Sequence, residues 1–236
     1  MNGRTLCAAL ALAIAVSVAH AGDSTVVLGP HEKVAGRSQG DYAIAWWQWV
    51  MQLPDGVRAY QDLSGAQCGL NQSGPVWFLA GTEGTEHVQR ECAIPADTHV
   101  FLPLIAMLAH ASPGQPLSCQ QAQAAVRANN DHLAQAQVLL DGKPIADIDK
   151  HRVRDIPCFD AFKNAKYIER HALYTPAATD GYWLMLAPLP AGVHQLSVRT
   201  LYANPGKPQG DLEEVFEYRL RVGDAPPAQA AVVITI

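Results

Sequence analysis

The chain has 236 residues, 49% apolar and 17% charged, with 17 Lys and Arg against 22 Asp and Glu. That apolar fraction can fill a real core and excludes disorder for most of the chain. A net charge of −5 without any basic run argues against nucleic acid, whose phosphates need clustered Lys and Arg, and against an anionic membrane surface.

The N-terminus reads as a secretory signal peptide over residues 1–21. Arg4 supplies the positive start, Leu6 to Val18 is apolar and uncharged, and Ala19-His20-Ala21 is a small-x-small cleavage site that leaves Gly22 as the mature N-terminus. The apolar run is shorter than the roughly 20 residues of a membrane span, so no span is expected once it is removed; the competing reading is an uncleaved anchor. Cys7 lies near the start of the run rather than at the cleavage point, which argues against a lipid-modified cysteine. Removing residues 1–21 takes away one Arg and no acid, so the charge becomes −6. The expected location is secreted or periplasmic.

Four cysteines remain: Cys68, Cys92, Cys119 and Cys158. An even count in an exported chain suggests two disulfides. Of the three connectivities, Cys68–Cys92 with Cys119–Cys158 gives the shortest combined loops. A zinc site of all four thiolates is the alternative, but no pair shows the two-to-four-residue spacing of such sites.

In chain order, residues 38–53 predict a helix. Ser38 and Asp41 resemble a capping arrangement, and Leu53-Pro54-Asp55-Gly56 ends it. Tyr42, Trp46, Trp49, Val50 and Leu53 fall on one face, and Ile44, Trp47 and Met51 form a second apolar stripe. A helix apolar on both sides is expected between layers, with Trp46 and Trp49 buried. If the second stripe is uncovered instead, Ile44, Trp47 and Met51 are the candidate binding surface. Val76 to Ala80 reads as a central buried strand. Strands follow at Val88 to Ile94 and at Thr98 to Met107. Ser118 and Gln121 form a capping box for a second helix through Cys119, Ala122, Val126 and Leu133. Asp141-Gly142 is a tight-turn signal between short apolar segments. The 150–180 stretch is irregular, and its charges read as a solvated surface. Later strands are Tyr182 to Leu186, Val193 to Tyr202, Val215 to Val222 and Ala231 to Ile236. Ile94-Pro95-Ala96-Asp97-Thr98-His99 echoes Leu189-Pro190-Ala191-Gly192-Val193-His194, and both are expected to make the same kind of turn. The fold class is mainly β: one domain over 22–236, an antiparallel β-sandwich of jelly-roll or immunoglobulin-like type, with two helices and two disulfides.

Signatures of catalysis are sparse. No histidine of the mature chain falls in H-E-x-x-H, no G-x-S-x-G is present, and Gly-rich phosphate loops are absent. Glu83, Glu86, His87 and Glu91 cluster in sequence, and they read as an ordinary polar edge rather than a metal site. Asp147 with Asp149, and Glu213 with Glu214, are possible carboxylate pairs, whose roles depend on spacing in three dimensions. Trp77 and Trp183 sit in runs apolar on both faces and are expected in the core. Asn71-Gln72-Ser73 matches a glycosylation sequon. No cofactor and no metal site are expected, and catalytic residues stay unassigned.

Trp46-Trp47-Gln48-Trp49, Gln72 to Gly81, Cys92-Ala93-Ile94-Pro95-Ala96, Asp180-Gly181-Tyr182-Trp183 and Leu189 to His194 together resemble an uncharacterised family of exported bacterial and archaeal proteins. Where those proteins carry Gly after Ile-Pro-Ala, this chain has Asp97. The resemblance implies export and a single domain; it carries no activity. The expected function is an extracytoplasmic binding or interaction protein with a protein or glycan partner. The alternative is an extracytoplasmic enzyme acting on a glycan or envelope polymer.

Overall fold

Ser38 opens the first helix of the computed structural model, which describes residues 26–84, 87–203 and 211–223. Helix α1 spans Gln39–Val50. The Ser38 hydroxyl accepts from the Asp41 N–H at 3.2 Å, and the Asp41 carboxylate accepts from the Ser38 N–H at 2.8 Å. The pair satisfies N–H groups that a helix start leaves without partners. The expected signal peptide, the strand expected at 231–236 and Glu86 lie outside the described residues.

Both sides of α1 are covered, with Tyr42, Ala43, Trp46, Trp47, Trp49 and Val50 all buried. Three indole N–H groups fix it in place. Trp46 donates to the Leu79 carbonyl, Trp47 to the Thr179 hydroxyl and Trp49 to the Leu70 carbonyl, each at 2.8 Å. Leaving such a donor buried and unpaired costs about 1–3 kcal/mol, so these bonds set the rotation of α1 as well as its position.

The strands are β1 (Val76–Phe78), β2 (His87–Ile94), β3 (His99–His110), β4 (Leu133–Leu140), β5 (Lys143–Pro144), β6 (Arg152–Val153), β7 (Ala177–Leu186), β8 (Gly192–Tyr202) and β9 (Leu212–Val222). They form two sheets, ordered β1-β3-β7-β6 and β2-β9-β8-β4-β5. Alternation on β7 shows the layering. Tyr182, Leu184 and Leu186 join the core between the sheets, whereas Trp183 and Met185 pack with α1. With both faces covered, every residue of β7 is buried, as near-continuous apolar strands require. Helix α2, Cys119–Asn130, starts with the reciprocal Ser118–Gln121 box and packs Ala122 and Val126 against Ala178. Disulfides join Cys68 to Cys92 and Cys119 to Cys158. They close loops of 24 and 39 residues, a constraint on the unfolded chain of about 3–4 kcal/mol each.

Four expectations need correction. The second helix ends at Asn130, and Leu133, expected on it, opens β4 instead. The sheets are mixed rather than antiparallel throughout, because β1 runs parallel to β3 and β2 parallel to β9. The Val76–Ala80 segment is an edge strand, not a central one; its burial comes from α1 and the opposite sheet instead of flanking strands. The 150–180 charges are not all solvated. The Arg152 guanidinium donates to both Asp180 oxygens at 2.9 and 2.8 Å, and reaches Asp131 at 2.7 Å. The sequence echo has a clear counterpart. Each copy carries the chain from one sheet to the other, β2 to β3 and β7 to β8, and its fourth residue has positive φ: Asp97 at 58° and Gly192 at 142°. The angles differ, so the role is shared and the turn conformation is not.

Candidate functional site

After Phe78 the chain leaves β3 with one last bond, Leu79 N–H to Phe101 C=O at 3.0 Å, while β3 runs on to His110. Among the described residues no strand takes that side of β3 beyond Phe101. The space left is a cleft of ≈ 240 Å³. Trp46 and Trp47 line it from α1, Met107 from β3, Tyr60 from a short helical turn, and Thr82 with Glu83 from the loop after β1. From β9 comes Glu214.

Glu214 is the chemically unusual group. Its neighbours Leu212, Phe216, Tyr218, Leu220 and Val222 alternate with it on the inward face of β9, so strand geometry carries a carboxyl into the core. The side chain is 7% exposed. Among the described residues its carboxyl receives one long hydrogen bond, from the Thr82 N–H to Oε2 at 3.4 Å. Burial pushes its pKa up to about 8, against the smaller opposing effects of that bond and of the Arg90 charge. At neutral pH Glu214 therefore carries its proton. Gly81 leaves room for it: a Cβ there would stand 2.9 Å from Oε2.

Arg90 does not line the cleft and donates to the protein from all three of its guanidinium nitrogens. Nε donates to the Asp62 carbonyl, Nη1 to the carbonyls of Ala80 and Gly81 and to the Tyr218 hydroxyl, and Nη2 to the Tyr60 carbonyl. It thereby ties the Tyr60 turn and the Gly81–Thr82 loop to β2 and β9. The Tyr60 hydroxyl accepts from Arg58 at 2.9 Å.

Of the residues singled out from sequence, Trp47 lines this cleft; Met51 is buried elsewhere and Ile44 is half-buried. They make no shared exposed patch. Glu83 stands at the mouth, accepting from the Gln61 amide at 2.8 Å. The rest of its sequence cluster disperses: His87 faces Glu217 at 3.3 Å, and Glu91 pairs with Arg219 and Arg221. Among the described residues no group of three His, Cys, Asp or Glu could hold a metal. Asp147 pairs with Lys150 and Asp149 is exposed. Glu213 points outward to Arg199, opposite to Glu214. Trp77 and Trp183 are buried.

A wider groove of ≈ 560 Å³ lies beside His110, Phe162 and Tyr174. Its lining mixes Asp55 and Glu169 with Arg58 and Arg170, and it holds no buried carboxyl comparable to Glu214. No family model, curated protein or solved structure matches the chain.

Proposed function

We propose that this chain is an exported binding protein that takes a small ligand in the cleft bounded by α1, the loop after β1, the middle of β3 and the start of β9. The observation that carries the reading is Glu214: a buried carboxyl that receives one long hydrogen bond among the described residues and lines a cleft walled by Trp46, Trp47 and Tyr60. Apolar enclosure with few convergent polar groups is the usual character of a ligand site. At ≈ 240 Å³ the cleft is smaller than the roughly 300–1,000 Å³ of drug-sized sites, which favours a small solute over an extended polymer. Export rests on the signal peptide and on two disulfides. Among the described residues no helix is long and apolar enough to cross a membrane.

A second reading has its own support. Glu214 and Glu83 share the cleft, and glycan hydrolysis uses a pair of carboxyl groups flanking the scissile bond. Binding without turnover of offered glycans separates the two readings.

The test is thermal unfolding of wild type and Leu212→Trp, which enlarges a side chain that lines the cleft beside Glu214, against sugars, amino acids, organic acids and alkylamines. A solute that raises Tm in wild type but not in the variant supports the binding reading. A panel with no effect on wild type overturns it.

A further inference from the structure

Building on the binding reading above, we propose that the ligand is an organic cation, an alkylammonium group about the size of choline. The charged side chains that line the cleft among the described residues are Glu83 and Glu214. The nearest basic group, Arg90, donates to four backbone carbonyls and does not line the cleft. An anionic ligand would thus meet two acids and no free guanidinium.

A sugar is also poorly served, because a polyol needs several hydrogen-bond partners when it leaves water. The indole N–H groups of Trp46 and Trp47 already end on Leu79 and Thr179, so what these side chains offer is carbon and π-electron surface. Aromatic surface attracts alkylammonium ions electrostatically and tolerates their methyl groups. The Glu214 carboxyl supplies the counter-charge. It is more than nine-tenths buried, lines the cleft and holds only the long bond from Thr82. A cation seated beside it favours the carboxylate form, so binding releases a proton. Arg90 from β2 and Tyr202 from β8 interact electrostatically with Glu214, and Glu83 from the loop after β1 and Tyr60 from the helical turn are the other titratable groups lining the cleft among the described residues.

Isothermal titration of the disulfide-bonded protein with choline and with its neutral carbon isostere, 3,3-dimethylbutan-1-ol, tests this at pH 6 and pH 9. Choline should bind at least about tenfold tighter than the alcohol at pH 9, with the advantage shrinking at pH 6. The apparent heat should vary with the buffer's ionisation enthalpy as protons are released. Glu214→Gln, with its fold checked by circular dichroism, should lose the preference for choline. If the alcohol binds wild type as tightly as choline, or if Glu214→Gln keeps the preference, the cation is wrong while the binding site stands. If neither compound binds, the cation is again wrong, and the solute panel above decides whether the binding reading survives it.

Discussion

The indole N–H of Trp47 ends on the Thr179 hydroxyl at 2.8 Å, and that hydroxyl donates onward to the Met107 carbonyl at 2.8 Å. One side chain of α1 is thereby tied to β7 and, through it, to β3, at the wall of the cleft. Trp47→Ala removes this tie together with a large buried ring, and should cost about 3–5 kcal/mol in urea denaturation. Trp47→Phe keeps most of the packing and should cost clearly less. A loss below about 1 kcal/mol for the alanine variant would mean that the second stripe of α1 is not packed.

Much of this architecture is legible in sequence because periodicity reports burial. The tryptophan helix, its Ser38–Asp41 cap and the Asp141-Gly142 hairpin are local and follow from spacing. The parallel pairings of β1 with β3 and β2 with β9 are not local. They arise because the Ile94–His99 segment switches sheets, and turn chemistry does not say which sheet comes next. The cleft is not legible in the sequence, where Glu214 stands out only as half of an adjacent acidic pair. On a strand, adjacent residues point to opposite faces, so Glu213 reaches Arg199 outside while Glu214 goes in. The usable signal was an acid in the register Leu212, Phe216, Tyr218, Leu220. Arg90 gives the same signal between Val88 and Cys92. A charge placed on an apolar face marks a position where burial is opposed by polar chemistry, and of these two positions Glu214 lines the cleft.

The Arg152–Asp180 pair should behave as a buried unit. The hydrogen bonds that Arg152 donates to the Asp180 carboxylate hold the guanidinium in its charged form. Removing one partner strands the other, and Arg152→Ala should cost about 3–5 kcal/mol because it leaves Asp180 buried and uncompensated. The double change Arg152→Met with Asp180→Leu should recover most of that stability, as measured by equilibrium unfolding. A double variant as unstable as the single one would show that the pair does more than satisfy its own charges.

Glu214 should lower stability as pH rises. Its folded pKa is raised to about 8 from an ordinary 4.5, so the folded state holds the proton more tightly than the unfolded chain. Stability then falls between those two values and levels off above the upper one. Glu214→Gln should be close to neutral at pH 4 and more stable than wild type at pH 9, by something on the order of a few kcal/mol. Urea midpoints at the two pH values measure it. An equal effect at both would show that folding does not raise the pKa of Glu214.

His194 works in the opposite direction. Its Nδ1 lies 2.7 Å from the Asp141 carboxylate in the β4–β5 turn, and its Nε2 lies 2.9 Å from the Pro190 carbonyl ahead of β8. Both partners are acceptors, so both nitrogens donate only when the ring is an imidazolium. Burial opposes that charge, but the bonds to Asp141 and Pro190 outweigh it, and the pKa lies above the ordinary 6.5. For Asp141 burial acts upward, and the bonds from His194 and the Gln195 N–H more than reverse it, leaving its pKa below 3.8. The tie between the two turns is therefore complete below pH 6.5 and is lost as pH rises through the raised value of His194. On the acid side it fails only as pH falls below 3.8 through the lowered value of Asp141. Because Asp141 is open to water, the tie is worth no more than about 1 kcal/mol. His194→Gln should cost that amount at pH 5.5 and almost nothing at pH 9. A cost that grows with pH would mean that the ring is neutral in the folded protein and that one of its two bonds is not made.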